Sequence, residues 1–125
     1  MNALRILIVE DEPMIAMMFE ELLEEMGHDV VGIAATESAA VEAARQHQPD
    51  LMFVDENLAK GSGISAIKQI LQGGFVAHIF TSGDKSLVEQ SSPNVIVLSK
   101  PFREQDLVHA MEAAMQQVSD HVHHP

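Results

Sequence analysis

The chain has 125 residues, 46% of them hydrophobic, and a formal charge of −12 with only seven Lys plus Arg. That fits one domain able to bury a real core. No run reaches the roughly 18 apolar residues of a membrane span, no basic cluster is present to grip a nucleic-acid backbone, and the absence of cysteine excludes disulfides and thiolate chemistry. No signal-peptide pattern opens the sequence, so the expectation is a cytoplasmic protein.

Leu4 to Val9 reads as a first strand, closed by Glu10-Asp11-Glu12-Pro13. Pro13 suits the first turn of a helix, predicted from about Pro13 to Met26. Met14, Ile15, Met18, Phe19, Leu22, Leu23 and Met26 recur at three-to-four spacing and are assigned to its inward face. Met14, Met17 and Met18 read as core filler or helix surface, not as a Met-rich docking groove. Gly27 is a natural stop. Val30 to Ala34 reads as a second strand, and Thr36 as the cap of a helix over about Glu37 to His47. Gln48-Pro49-Asp50 ends that helix.

Leu51-Met52-Phe53-Val54-Asp55 is a short apolar run that meets an acid, the pattern of a buried strand in a parallel sheet. A loop with Gly61-Ser62-Gly63 follows, then a helix over about Ile64 to Leu71. Phe75 to Thr81 reads as a fourth strand. Asp84 to Ser91 reads as a short fourth helix with little apolar surface. Val95 to Leu98 reads as a fifth strand, before Lys100-Pro101-Phe102. A last helix is expected over about Glu104 to Val118, with Leu107, Val108, Met111, Ala114, Met115 and Val118 inward. The alternation of strand and helix predicts an α/β three-layer sandwich around a parallel sheet. One domain is expected over 1–119, with 120–125 a disordered tail.

In such a sheet, chemistry collects beyond the carboxyl ends of the strands. Glu10, Asp11 and Asp55 would meet there. Two unit charges about 4 Å apart repel by roughly 1 kcal/mol in water and about 4 kcal/mol at an effective dielectric of 20. Such a cluster calls for a cation, and hard carboxylate oxygens at an open, wet edge suit Mg²⁺. Lys100 adds an ammonium, and Thr81 or Ser82 a hydroxyl. Together these groups would stabilise the oxygens of a phosphoryl group. A carboxylate beside them can act as the nucleophile, and Asp55, on the central strand, is the best placed.

Val9-Glu10-Asp11-Glu12, Val54-Asp55, Phe80-Thr81-Ser82 and Ser99-Lys100-Pro101-Phe102, in that order, resemble a response-regulator receiver domain of two-component signalling. The resemblance covers Leu4 to about Val118. Each motif alone is weak; the ordered set is specific. It implies a flavodoxin-like (βα)5 fold with strand order 2-1-3-4-5. It also implies that Asp55 is the phospho-acceptor and that Glu10 and Asp11 hold Mg²⁺. The backbone carbonyl of Asn57 would complete the metal site, Thr81 would be the switch hydroxyl, and Lys100 would contact the phosphoryl group. Gly63 matches the family pattern, and the bond before Pro101 is usually cis in the family.

The sequence departs from that pattern in places. Val97 stands where receivers usually carry Tyr or Phe, and the chain has no Tyr. The usual coupling of a hydroxyl to an aromatic ring therefore cannot operate in its standard form. Ala59 replaces a common proline, and the segment between Thr81 and Lys100 is short. Phe80-Thr81-Ser82-Gly83 is similar to the Phe-Ala-Thr-Gly-type motif of an atypical stand-alone subgroup, an alignment that would give the switch role to Ser82.

The resemblance implies a single-domain response regulator, not an enzyme with an external substrate. Its expected partners are a histidine kinase or histidine phosphotransfer protein and a downstream protein target, with homodimerisation left open. The rival reading is a degenerate receiver that binds partners without phosphorylation; Val97 favours it, and the complete Glu10-Asp11-Asp55-Lys100 set opposes it. An aspartyl phosphatase ranks last, because it would want an acid where Asn57 stands. The three C-terminal histidines, His121, His123 and His124, read as adventitious ligands.

Overall fold

The computed structural model describes residues 2–83 and 95–123. The strands are β1 (Arg5–Val9), β2 (Asp29–Ala34), β3 (Leu51–Asp55), β4 (Ala77–Ser82) and β5 (Val97–Ser99). All pair in parallel, in the order β2-β1-β3-β4-β5. The described helices are α1 (Pro13–Glu25), α2 (Glu37–His47), α3 (Gly63–Leu71) and α4 (Glu104–His123). This is the flavodoxin-like strand order. The helix expected over 84–91 lies outside the described residues.

Side chains alternate across each strand and so feed two cores. Ile6, Ile8, Leu51, Phe53, Ile79 and Leu98 face α1 and α4, where they meet Phe19, Leu23, Leu107 and Met111. Leu7, Val9, Met52, Val54 and Phe80 face α2 and α3. There Ala40, Ala44 and Ala66 are fully or nearly fully buried, and their small size lets those helices lie close to the sheet. All five residues of β3 are buried, because it is the middle strand and helices cover both of its faces.

Local signals set several boundaries. Thr36 Oγ1 accepts from the Ala39 amide at 3.1 Å, and Ser62 Oγ accepts from the Ser65 amide at 3.0 Å. Both are N-caps of the expected kind. Gln48 takes φ of +46° and ends α2 in the left-handed region, directly before Pro49.

The structure corrects the sequence reading at several points. Met14 and Met18, assigned to the inward face of α1, are 74% and 67% exposed. Ala16, Phe19 and Leu23 are buried instead, with Ile15, Leu22 and Met26 packed beside them. At about 100° per residue, that set centres on Phe19; Met18 lies about 100° from the centre and Met14 about 140°. The seven apolar positions span more arc than one sheet face can cover. The fourth and fifth strands begin and end later than expected. The last helix continues to His123 instead of ending near Val118, so the segment expected as a disordered tail is helical through 123. No Gly or Pro interrupts Glu104–His123, and Gln116 Nε2 donates to Asp120 Oδ1 at 3.3 Å across the last turns.

Candidate functional site

β1 and β3 are neighbours at the centre of the sheet, with Val9 in register with Val54. The next residues, Glu10 and Asp55, therefore lie side by side. Glu10, Asp11 and Asp55 each present a carboxylate oxygen within 4.8 Å of the other two. Glu10 and Asp55 are buried, at 4% and 8% exposure, and Asp11 is half-buried. Lys100 arrives from the end of β5. Its amide donates to the Ser82 carbonyl at 2.9 Å, and the Lys100–Pro101 bond is cis. Its Nζ lies 3.0 Å from Asp55 Oδ2 and 3.4 Å from Glu10 Oε1.

The charges are unevenly balanced. Burial first, and the Asp55 charge after it, push the Glu10 carboxyl up to about 7; the Glu12 amide and Lys100 oppose that rise. Burial alone would lower the Lys100 ammonium, but its bonds and charge contacts with Asp55 and Glu10 outweigh that and hold it above the usual lysine value. Among the described residues, three carboxylates thus share one ammonium. A buried carboxyl pushed towards neutrality is short of positive charge. This donor set fits a divalent cation that prefers oxygen, such as Mg²⁺.

The register separates the two candidate hydroxyls. Thr81 pairs with Asp55, so their side chains share a face. Ser82 alternates to the other face, where its hydroxyl donates to Glu56 Oε1. Val97 is in register with Phe80 and packs against the second core.

The loop after Asp55 is tightly held. The Asn57 amide donates to Asp55 Oδ1 at 2.9 Å, and Asn57 forms an antiparallel bridge with Ser62. The Gly63 amide donates to the Glu56 carbonyl at 3.1 Å. A Cβ on Gly63 would run into the Asp55 carbonyl oxygen, which is a physical reason for glycine eight residues past the acid.

Two acids escaped the sequence reading. Glu56 is buried and bonded to Ser82. Its position after Asp55 in a polar loop gave no sign of this. Glu37, read only as the first residue of α2, reaches the far end of the Asp55 loop. The third overlooked group is His78, buried in β4 with Nδ1 2.7 Å from the Val76 carbonyl. Burial lowers its pKa.

A parallel sheet with this order, ending in a carboxylate trio two of whose members pair with one lysine, defines a class. The family model described as "Response regulator receiver domain" matches residues 6–112, and the chain belongs to that family of signalling proteins. It is 38% identical over 105 residues to the phyllosphere-induced regulator PhyR of Methylorubrum extorquens, covering 81% of this chain and 39% of that protein. It is 35% identical over 115 residues to the transcriptional regulatory protein PdtaR of Mycobacterium tuberculosis, covering 89% of this chain and 56% of that one. The chain thus spans about half or less of the length of these relatives. The solution structure of the PhyR receiver domain from Erythrobacter litoralis superposes with a TM-score of 0.81 at 35% identity, covering 91% of each chain. No described helix is long and apolar enough to cross a membrane.

Proposed function

We propose that this chain is a cytoplasmic response-regulator receiver domain that accepts a phosphoryl group on Asp55. The donor is the phosphohistidine of a histidine kinase or phosphotransfer protein. The observation that carries this reading is Lys100 Nζ, 3.0 Å from Asp55 Oδ2, within a trio of carboxylates. An Asp55 oxygen forms a bond to phosphorus as the phosphorus–nitrogen bond breaks, and the imidazole leaves with the bonding pair and takes up a proton. The Asn57 amide on Asp55 Oδ1 fixes the carboxylate for that attack. Lys100 offers its charge to the incoming oxygens. Glu10, Asp11, Asp55 and the Asn57 carbonyl would hold Mg²⁺, which when bound neutralises charge on the carboxylates and the phosphoryl oxygens.

The new charge then changes what binds. Thr81, on the Asp55 face of β4, is the hydroxyl we assign to respond, and Ser82 is tied to Glu56. The response spreads towards β5, altering affinity for a downstream protein target.

The second reading is a degenerate receiver that binds partners without phosphorylation, and Val97 is the residue that favours it. Intact mass after incubation with phosphorylated kinase or acetyl phosphate separates the two. The expected result is one added phosphoryl mass that requires Mg²⁺ and is absent in Asp55→Asn. No addition from either donor would reject the phospho-acceptor reading in favour of the second.

A further inference from the structure

Glu37 sits at the start of α2, far in sequence from the Asp55 loop, yet its carboxylate is used entirely on that loop and the helix after it. Oε1 accepts from the Ser62 amide at 2.9 Å. Oε2 accepts from Ser65 Oγ at 2.8 Å and from Gln69 Nε2 at 2.6 Å. The Glu37 amide donates to the Lys60 carbonyl at 3.1 Å. Gly61 has φ of +86°, and a Cβ there would collide with the Glu37 side chain. The chain therefore turns around this carboxylate. The Ser62 bond, followed by that from Ser65, holds the Glu37 carboxyl below its usual range, so it stays ionised near neutrality.

These contacts reach the acceptor in three steps. Glu37 fixes the Ser62 amide. Ser62 lies opposite Asn57 in an antiparallel bridge, where the next amide, that of Gly63, donates to the Glu56 carbonyl just before Asn57. The Asn57 amide holds Asp55 Oδ1. We propose that Glu37 is a positioning residue for the Asp55 site: by locking Ser62 it sets where the Asn57 backbone lies against the Asp55 carboxylate. This rests on the proposed function. It differs from a plain helix cap in its reach, since Ser62 Oγ already caps α3 and the cap itself does not involve Asn57.

The test uses the full chain, with Glu37→Ala, Glu37→Gln and Gln69→Ala beside the parent. Amide hydrogen exchange at Asn57 and Ser62 is read by NMR without metal. The Mg²⁺ concentration for half-maximal phosphorylation by acetyl phosphate is read separately. Loss of an outer partner that orients metal ligands typically costs 10–100-fold in affinity, so Glu37→Ala is expected to raise the Mg²⁺ requirement about 10-fold. Asn57 exchange should speed up by a similar factor, with the rate at saturating Mg²⁺ close to that of the parent. Glu37→Gln keeps one carbonyl oxygen and should shift both readouts less, by about threefold on the same scale. Gln69→Ala, which leaves the Ser62 bond intact, should match the parent.

Faster exchange at Ser62 with Asn57 and the Mg²⁺ requirement within twofold of the parent would overturn the proposal and leave Glu37 as a brace for α3. If Glu37→Ala fails to fold, Glu37→Gln decides: a threefold shift supports the proposal and parental values overturn it. A parent that takes no phosphoryl group defeats the proposed function itself; a phosphorylated parent with an unmoved Asn57 defeats the Glu37 assignment alone.

Discussion

The loops after β1 and β3 deliver acids to the same cluster but are built differently. The loop after β1 is three residues long and runs straight into Pro13. Its fixed local contact is the Glu12 amide on Glu10 Oε2, at 3.1 Å. The loop after β3 is tied at Asn57, Ser62 and Gly63, and braced from α2 by Glu37. The first region concentrates charge and leaves it under-compensated, as the raised Glu10 carboxyl records. The second holds one carboxylate in one orientation. The proposed function, binding a cation and attacking phosphorus, would need both properties, and placing them on separate loops would let each be met without compromising the other.

The largest expected break in this arrangement is Lys100→Ala. It removes the ammonium that both loops share. Loss of one preorganised charge donor typically costs 10²–10³ in rate, so transfer to Asp55 should slow by about 100-fold. Lys100 is at the edge of the fold, with a side chain 28% exposed, so the fold should survive. Single-turnover phosphorylation and a thermal melt, run together, check both parts; an unfolded variant would make Lys100 structural.

Gly63→Ala attacks the rigid loop alone. The new Cβ meets backbone, the Asp55 carbonyl oxygen, as well as Val54 Cγ1, so neither neighbour can yield cheaply. Overpacking of this kind costs up to about 3 kcal/mol, or roughly 10 °C in Tm for a domain of this size. A melt within about 2 °C of the parent would show that the loop gives way readily and would undo the contrast with β1.

The smallest expected effect is on the β1 side and is read by pH. The folded value for Glu10 is about 7 against an ordinary value of 4.5, so between those values the folded chain binds more protons than the unfolded one. Stability from Glu10 is therefore fully present below about pH 4.5 and lost as pH rises through about 7. Without divalent metal, stability should fall by on the order of 2 kcal/mol across that window. Glu10→Gln should flatten the step, and Mg²⁺ at pH 8 should recover it. A parent and a Glu10→Gln variant with the same pH profile would rule out Glu10 as its source.

Much of this was legible from residue order. The limits of α2 and β3 coincide with the sequence reading, because Thr36, Pro49 and Asp50 are local signals that act within a turn or two. The acids and lysine at strand ends were identifiable because a parallel sheet must gather them at one edge. The outward turn of Met14 and Met18 was not legible, since periodicity marks an apolar arc but not which part of it meets the sheet. That Thr81 pairs with Asp55 while Ser82 bonds Glu56 was equally hidden, because it turns on strand register.

By itself, then, the sequence determined the alternation of strands and helices, the strand order through its family resemblance, and the chemical character of the site. These depend on hydrophobic period, turn residues and residue type, all carried within short windows of chain. Tertiary structure alone decided that Glu37 braces the Asp55 loop, that Glu56 is bonded to Ser82, and that Glu10 is pushed towards neutrality. Each depends on groups 25 to 90 residues apart being brought within bonding distance, and on water being removed from around them, and neither condition exists until the chain has packed.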